Sequence, residues 1–592
     1  NDVLSISVVF DEAVNVASAN PQLTLAMDGA NETVNYNSGT GSTTLVFPFT
    51  IDDDDNTSDL DYAATSSLAL NSATIRDGHG NNATLTLPSP GGSGSLGANK
   101  ALIVDTTAPT LHGTAADKVT TATANGSYKA GEVIDITAKF TETVYTSGTP
   151  QLTLALTDAA GNGANRAIDM SAGGGGTGSE ILTFRFTVAA GENSSDLDYA
   201  ANSSLSAGTY IRDLAGNNAT RTLSNPGASG SLGSNKAIII DTVAPTVDTD
   251  NGGLDAATDG TYYIDDVVVI SVLFTEVVLA PTSDPTLTLE TGGTDAVVNY
   301  TTGSGNANKK LVFNYTVAAP HTSADLDHQS TTALTGTIKD LAGNDATVTL
   351  PALTAAGSLS ANAAVVVDGV RPTVTNVTST TADGSYNHVD DGGGDNVIPI
   401  TVTFDEAVWV SGSPTIALET GDTDASVSYT SGSGGTTLTF DYTVSTGHNS
   451  DDLEYTATDA LAAAGGAWIR DANTADANTA TLRLPGMGNA GSLGANKALI
   501  IDTTAPTVDN VTSATDNGSY NHVDDGGGDN VIPVTITFTE AVTVVGTPKL
   551  TLETGGTDTD VDYAAGTGTT DLVFNYTIGA GNTSADLDYT AV

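Results

Sequence analysis

Apolar and polar residues alternate along most of this chain with a period of two. The stretch VIPVTITF, which ends at Phe538, and the stretch TDLVFNYTI, which begins at Thr570, show the alternation clearly. A period of two places apolar side chains on one face of a β-strand, and the 3.6-residue period of a helix is nearly absent. Glycine-rich stretches such as SGSGGTT separate these segments, as turns do. The pattern predicts an all-β chain.

The alternating segments belong to a repeat that recurs five times. The motif Phe-x-Glu-x-Val begins at Phe10, Phe140, Phe274, Phe404 and Phe538, at intervals of 130, 134, 130 and 134 residues. An interval of this size suits one compact domain. About seven short strands per interval, each with one apolar face, predict a tandem array of Ig-like antiparallel β-sandwiches.

A repeated strand exit marks the joints between these domains. LIVDTTAPT contains Asp105, and near-copies contain Asp241, Asp368 and Asp502. The proline fixes φ and removes a donor, which suits a stiff connection. The joints divide the chain into a partial repeat 1 (1–107) that lacks its first strand, repeat 2 (108–243), repeat 3 (244–370), repeat 4 (371–504), and a partial repeat 5 (505–592) that lacks its last strands. Two hypotheses account for the partial repeats: the chain is a window on a longer array, or the partial repeats complete each other between subunits by strand exchange.

Composition narrows the possible partners. Seventy acidic residues and eighteen basic residues give a formal net charge of −52. This excludes a phosphate-neutralising surface, so we expect no nucleic acid partner. No run approaches the ~20 apolar residues of a membrane helix, so we expect no direct membrane insertion in this segment. There is no cysteine, so disulfides do not staple the domains. Repulsion among so many acidic side chains destabilises the folded chain unless salt or bound cations offset it.

The strand directions predict that acidic motifs gather at each joint. We expect the DLD or DLE motif and the linker Asp of the upper repeat to meet the Glu of Phe-x-Glu and the Asp of Ile-Arg-Asp or Ile-Lys-Asp in the lower repeat. These residues are Asp59, Asp61, Asp105, Glu142 and Asp213 at joint 1; Asp196, Asp198, Asp241, Glu276 and Asp340 at joint 2; Asp325, Asp327, Asp368, Glu406 and Asp471 at joint 3; and Asp452, Glu454, Asp502 and Glu540 at joint 4. Carboxylates this close need a counter-charge. Without cysteine, and with few histidines, a hard cation with oxygen ligands is expected, and calcium fits.

These motifs resemble those of known families. DLD before Tyr, an Asp-containing linker ending in Pro and acidic loops on the next repeat are similar to the calcium joints of cadherins. The whole chain, with DTTAPT at its joints, resembles the bacterial Ig-like tandem repeats of very large cell-surface and adhesin proteins. The resemblance implies a secreted, cadherin-like, calcium-stiffened stalk at a bacterial cell surface. Its partners would be calcium ions, other copies of the chain, or neighbouring cells and surfaces.

Two features depart from the pattern. The third linker reads DGVRP. Either Arg371 partly replaces the metal at joint 3, which is the preferred expectation, or it points away and joint 3 binds calcium like the others. Repeat 4 has the longer loop RDANTADAN in place of the Gly-Asn turn.

Several motifs also have an ordinary structural interpretation. Asp and Asn in RDLAGN are good turn formers without any metal. The NHVDDGGGDN stretches at Asn387 and Asn521 fit a further calcium loop or, preferably, a solvated hairpin. Trp409 and Trp468 fit packing better than a sugar-binding platform.

The chain contains no Ser-His-Asp set, GxSxG elbow, HExxH helix or phosphate loop, so we expect no catalysis. The first functional hypothesis is a non-catalytic extracellular rod, stiffened by calcium, that forms an adhesin stalk or a surface filament or sheath. The alternative is an array of glycan- or protein-binding Ig-like modules. A third hypothesis is an enzyme whose catalytic domain lies outside this segment.

Overall fold

The computed structural model describes residues 2–175, 177–279, 285–303, 308–390, 394, 396–528 and 530–591. The chain divides into two compact units. The first comprises Asn1–Thr261, Val267–Tyr315 and Ser323–Val366, and the second comprises Tyr262–Asp266, Thr316–Thr322 and Val367–Val592. The first unit therefore holds repeats 1 and 2 and most of repeat 3, and the second holds repeats 4 and 5.

Strands dominate both units, which confirms the predicted all-β array of antiparallel sandwiches. The helices α1 to α5 in the described ranges are single turns of four residues. None of them has the length and apolar character needed to cross a membrane.

The strands of repeats 1 and 2 form two sheets in each repeat, and short helical turns lie between some of them. Repeat 1 contains β1 (Val3–Ala17), β2 (Gln22–Leu25), β3 (Glu32–Asn35), β4 (Ser42–Thr50), β5 (Leu68–Ala69), β6 (Thr74–Asp77) and α1 (Leu96–Asn99). Repeat 2 contains α2 (Ala115–Lys118), β7 (Val119–Thr121), β8 (Gly126–Tyr128), β9 (Val133–Ser147), β10 (Gln151–Thr157), β11 (Arg166–Asp169), β12 (Thr177–Thr187), β13 (Asn193–Tyr199), β14 (Leu205–Ser206), β15 (Tyr210–Arg212), α3 (Leu232–Asn235) and β16 (Ile238–Ile240). The sheet orders are β4-β1-β6 and β3-β2-β5 in repeat 1, and β12-β9-β15 and β11-β10-β13-β16-β8 in repeat 2.

Repeats 3 to 5 are also built mainly from short strands, with one helical turn described in each of repeats 3 and 4. Repeat 3 contains β17 (Leu254–Ala256), β18 (Gly260–Tyr263), β19 (Val267–Leu273), β20 (Thr286–Leu289), β21 (Ala296–Thr302), β22 (Lys310–Thr316), β23 (Thr322–Ser323), β24 (Leu334–Thr335), α4 (Leu359–Asn362) and β25 (Val365–Asp368). Repeat 4 contains β26 (Val374–Ser379), β27 (Gly384–Tyr386), β28 (Val397–Ser411), β29 (Thr415–Glu419), β30 (Ala425–Ser431), β31 (Gly435–Thr443), β32 (Asn449–Ser450), β33 (Glu454–Tyr455), β34 (Leu461–Ala462), β35 (Trp468–Arg470), α5 (Leu493–Asn496) and β36 (Leu499–Asp502). Repeat 5 contains β37 (Val508–Ser513), β38 (Val531–Val542), β39 (Lys549–Leu552), β40 (Thr559–Ala565) and β41 (Thr569–Thr577).

Alternation along the strands builds the cores. In β28, the apolar residues from Ile398 to Phe404 that point inward are buried, and the residues between them are half-buried. The clusters of buried apolar residues in repeats 1, 2, 4 and 5 each lie inside a single predicted repeat. Each of these repeats therefore has its own apolar core, built by the period-two pattern of its sequence.

The Phe-x-Glu-x-Val motif forms a β-bulge in repeats 1, 2, 4 and 5. In β28, residues up to Thr403 pair with β31, the register shifts before Val408, and Trp409 onward pairs with β35. β9 shows a shift at the same place, between Lys139 and Val144. A bulge ends one pairing and turns side chains to new directions. Phe404 and Val408 remain in the core, whereas Glu406 between them interacts electrostatically with Asp368 and Asp471 at the joint.

Candidate metal centres at the joints

Three carboxylates meet at joint 1. One carboxylate oxygen from each of Asp105, Glu142 and Asp213 lies within 4.8 Å of the others. Asp105 ends the exit segment of repeat 1, Glu142 stands in the bulge of β9, and Asp213 follows β15. The linker and the lower repeat therefore both contribute to the group.

Turn geometry fixes two of these side chains. Asp213 is only 3% exposed, and its Oδ1 accepts hydrogen bonds from the N–H groups of Gly216 (2.6 Å) and Asn217 (2.8 Å). Asp105 Oδ1 accepts from the N–H of Thr107 at 3.0 Å. The Asp105 contact is an Asx turn, and the Asp213 contacts close a longer loop, so both carboxylates are oriented before any ligand arrives.

Joint 2 repeats the arrangement. Asp241, Glu276 and Asp340 each place a carboxylate oxygen within 4.8 Å of the other two. Asp340 is 1% exposed, and its Oδ1 accepts from the N–H of Asn344 at 2.9 Å. The same three motifs thus converge twice in the first unit.

Electrostatics at these joints are unfavourable without a counter-charge. Burial and, to a smaller extent, the charges of Asp241 and Asp340 together raise the pKa of Glu276 to about 7, although Lys309 opposes them. Burial, Asp105 and Asp213 raise the pKa of Glu142 in the same direction. Groups of three acidic residues this close occur, within the described part of the chain, at joints 1 and 2.

Joint 3 holds a looser version of the group. Burial, followed by the charges of Asp368, Asp471 and Asp405, raises the pKa of Glu406 to about 7. Oδ2 of Asp471 is buried, and among the described residues no donor reaches it in hydrogen-bond geometry. Arg371 does not donate to this oxygen. Its Nη1 donates instead to the carbonyl oxygen of Thr479 at 3.2 Å. The geometry therefore gives no support to the expectation that Arg371 replaces a metal.

Joint 4 offers two of the expected residues. Asp502 accepts from the N–H of Thr504 at 3.0 Å, as the other linker aspartates do from the residue two positions on. Glu540 lies in β38, in the bulge between Thr537 and Val542. Repeat 5 of this chain has no residue at the position of Asp213.

The structure places the DLD and DLE motifs away from the linker aspartates. Leu60 N–H donates to the carbonyl of Leu102 at 2.7 Å, and Thr57 pairs with Val104. This antiparallel pairing puts the motif beside the entry of the exit segment, whereas Asp105 lies at its far end. The prediction that DLD joins the linker Asp is therefore wrong for geometric reasons. It concerned Asp59, Asp61, Asp196, Asp198, Asp325, Asp327, Asp452 and Glu454.

These motif carboxylates instead face the helical turn of their own repeat. Asp61 accepts from the N–H groups of Tyr62 and Gly91, both at 2.9 Å. A Cβ on Gly97 would lie 3.1 Å from oxygens of both Asp59 and Asp61, so the two carboxylates approach the backbone of the turn closely there. The same approach recurs at Gly233 and Gly494, with the motif carboxylates of their repeats at 3.1 and 3.2 Å.

Repeat 3 varies this contact. Ser360 replaces the glycine, and its hydroxyl donates to Asp327 Oδ2 at 2.6 Å. His328 takes the place of the motif tyrosine, with Nδ1 2.7 Å from Asp327 Oδ1 and Nε2 2.9 Å from the carbonyl of Pro351. Although burial raises the pKa of Asp327, hydrogen bonds from His328, Ser360 and the backbone hold it well below its usual range. Serine bonds aspartate and not histidine, so this is not the relay of a hydrolase.

The hydrogen bonds by which asparagines hold the linkers were not predicted from the sequence. Asn217 Nδ2 donates to the carbonyl of Asp105 at 2.8 Å, Asn344 Nδ2 to that of Asp241 at 2.9 Å, and Asn478 Nδ2 to that of Asp368 at 2.8 Å. On the other side of the linker, Asn56 Oδ1 accepts from Thr106 N–H at 2.9 Å. The available signal was recurrence: an Asn follows the Asp of the turn in each complete repeat.

The remaining candidates have structural roles. Asp524 Oδ1, in the second glycine-rich loop, accepts from Gly526 and Gly528 N–H, and parts of both loops (391–393, 395 and 529) lie outside the described residues. Arg470 stacks on Trp468 at 4.8 Å and donates to the carbonyl of Thr474 at 3.0 Å. The tryptophan therefore supports the loop that carries Asp471, as the packing interpretation expected.

Comparisons with known proteins leave the family open. No model of a known protein family matches the chain, and no curated protein matches it. Among solved structures, the full extracellular region of plexin A4 is similar at 9% identity over 99% of this chain and 41% of that one, with a TM-score of 0.14. A second structure of that region gives 8% identity over 81% and 48%, with a TM-score of 0.17. The chain spans less than half of those structures, and scores this low carry no argument.

Proposed function

We propose that this protein is a non-catalytic, extracellular array of β-sandwich repeats that binds calcium at its joints. The bound ions stiffen the array, which serves as an adhesin stalk or as the strand of a surface filament. The observation that supports the proposal is the recurrence of the same partly buried three-carboxylate group at joints 1 and 2.

The donor set favours calcium. Each group offers three carboxylates, and neighbouring backbone carbonyls and water complete a shell of six to eight oxygens. Magnesium demands a stricter octahedron, and zinc and copper favour nitrogen or sulfur donors. Burial and neighbouring negative charges raise the pKa of Glu142 and Glu276, and a divalent cation would offset both effects by stabilising the carboxylate forms.

Ligands from both sides of a joint give the ion its mechanical role. At joint 1, Asp105 belongs to the exit segment of repeat 1, whereas Glu142 and Asp213 belong to repeat 2. A cation held by all three crosslinks the linker to the lower repeat. The chain has no cysteine to do this with a disulfide. Modules that bind calcium with dissociation constants of ~10⁻⁴ to 10⁻³ M are filled outside cells, which supports an extracellular location.

Calorimetric titration of the 592-residue chain with calcium, after treatment with chelator, tests the proposal. We expect several sites in that affinity range and a higher melting temperature in calcium. Glu142→Gln should weaken one site about tenfold or more, because it removes a charged ligand. Glu180→Gln, an exposed glutamate of the same repeat, is the matched control and should change nothing. Absence of both binding heat and thermal stabilisation would refute calcium binding.

A further inference from the structure

The two departures from the common sequence pattern lie at one place, joint 3. The third linker contains Gly369, and the loop that follows β35 runs from Asp471 to Asn478. The corresponding loop of repeat 3, from Asp340 to Asn344, is three residues shorter. In the structure, both departures make contacts with repeat 3.

Asn478 joins three segments of the chain at this joint. It is 3% exposed, and its Nδ2 donates to the carbonyl oxygens of Asp368 at 2.8 Å and Val370 at 3.0 Å. Its Oδ1 accepts from the backbone N–H of Ile264 at 2.9 Å. Ile264 lies in the segment Tyr262–Asp266 between β18 and β19, which belongs to the same compact unit as repeat 4. We call this segment the β18–β19 turn. The buried amide ties both the linker and this turn to repeat 4.

Tyr263, in the β18–β19 turn, lies against the longer loop. Burial raises the pKa of its hydroxyl, and a hydrogen bond with Thr474 opposes that shift. The charges of Asp471 and Asp368 add to the increase. Because such effects act over short distances, the hydroxyl lies near both the loop and the joint carboxylates.

The linker also approaches repeat 3 closely. Gly369 N–H donates to the carbonyl oxygen of His321 at 2.7 Å. A Cβ on Gly369 would lie 2.5 Å from that oxygen and 2.6 Å from the carbonyl oxygen of Ala318. Both are backbone atoms, so a side chain does not fit there, and glycine permits the close approach.

Joint 2 has a looser contact of the same kind. Lys129 stands at the position of Tyr263, and its Nζ donates to the carbonyl of Gly343 at 2.7 Å. Within the described residues, the N–H of Ala130, at the position of Ile264, donates to no group of repeat 3. A long flexible side chain constrains a joint less than a backbone bond to a buried amide. The joint with the close three-carboxylate group therefore has the looser protein contact, and joint 3 has the reverse.

We propose that the β18–β19 turn, the linker at Gly369 and the loop 471–478 form a brace that holds joint 3 without a bound cation. Hydrogen bonds among these three segments do the work of metal–ligand contacts. The contrast with metal-held joints rests on the proposed calcium sites of joints 1 and 2, whereas the brace itself does not. The linker of joint 3 therefore stays closed when calcium is withdrawn.

Hydrogen exchange of the 592-residue chain, followed by mass spectrometry, tests the brace. In the wild type, amides of 262–266 should exchange at the same rate with calcium and with chelator. Asn478→Ala removes the hydrogen bonds of the buried amide and should speed exchange there at least tenfold in both conditions. Asp476→Asn changes an exposed residue of the same loop and is the matched control, which should change nothing.

Gly369→Ala is a second variant that leaves the loop intact. Its Cβ forces the linker away from His321, so amides of 368–370 should exchange at least tenfold faster, again with calcium and with chelator. This comparison decides the matter if Asn478→Ala does not fold.

Two results would overturn the proposal. Unchanged exchange in the two variants would show that no brace exists. Faster exchange of 262–266 in chelator than in calcium, in the wild type, would show that joint 3 needs a cation. If the chain binds no calcium at any joint, the proposed function fails, and the response to Asn478→Ala still supports or overturns the brace.

Discussion

Glu276 binds its proton more tightly in the folded chain than in the unfolded one. Burial, Asp241 and Asp340 raise its pKa to about 7, against about 4.3 for an unfolded glutamate. A raised pKa means that folding favours the protonated form. The resulting stabilisation is complete below about pH 4.3 and is lost as the pH rises through about 7.

The first prediction is that repeat 3 loses stability between pH 5 and pH 8 in the presence of chelator. We expect a loss of about 1–2 kcal/mol, below the full linkage value because solvent partly screens the side chain. Glu276→Gln should remove this pH dependence, since glutamine does not titrate. Urea unfolding at the two pH values measures it.

Glu290→Gln, an exposed glutamate of the same repeat, should leave the pH dependence unchanged. With saturating calcium the trend should reverse, because calcium binds the carboxylate form. Equal pH dependence in the wild type and in Glu276→Gln would contradict the assignment of the proton to this residue.

At the scale of elements, joints 1 to 3 each have a turn whose asparagine side chain clips the linker by donating to its backbone. Asn344 Nδ2 donates to Asp340 Oδ2 at 2.7 Å and to the carbonyl of Asp241 at 2.9 Å. One side chain therefore connects the turn to the linker backbone and holds Asp340 and Asp241 at the spacing of the carboxylate group.

The second prediction is that Asn344→Ala destabilises joint 2. The loss of two partly buried hydrogen bonds should cost about 1–3 kcal/mol and weaken one calcium site several-fold. Thermal unfolding and calcium titration measure the two effects. Asn81→Ala is the matched control: Asn81 makes the same contact to Asp77 within its turn. If Asn81→Ala weakens calcium binding as much as Asn344→Ala does, the clip is not the cause.

The sequence predicted the elements well because their signals are local. Period-two alternation places Ile398 to Phe404 in a strand, and recurrence marks Phe-x-Glu as a repeated feature. It also selected Asp105, Glu142 and Asp213. The position of Asp59 and Asp61 was mispredicted, because it depends on which end of the exit segment an antiparallel neighbour meets. The contact of Arg371 with the carbonyl of Thr479 was not predicted, since proximity in sequence does not show which carbonyl a guanidinium reaches.

At the scale of the molecule, the cores and the joints draw stability from different sources. The core clusters of repeats 1, 2, 4 and 5 are apolar and each lies within one repeat. The joints rest on polar linker contacts and, in our proposal, on calcium. Removing calcium restores repulsion among the joint carboxylates but leaves the buried apolar area unchanged. Local opening at the linkers should therefore precede unfolding of any sandwich.

The final prediction is that chelation speeds hydrogen exchange at the linkers and not in the strands. Amides at 105–107 and 241–243 should exchange at least tenfold faster in chelator, whereas those of β9 and β28 should keep their rates. The linker at 368–370 should respond less, because Asp368, Glu406 and Asp471 are gathered less closely than the groups at joints 1 and 2. Exchange measured by mass spectrometry with calcium and with chelator separates these regions. Equal acceleration in strands and linkers would mean that calcium stabilises the sandwiches themselves, and an equal response at 368–370 would mean that the looser group binds calcium as well as the other two.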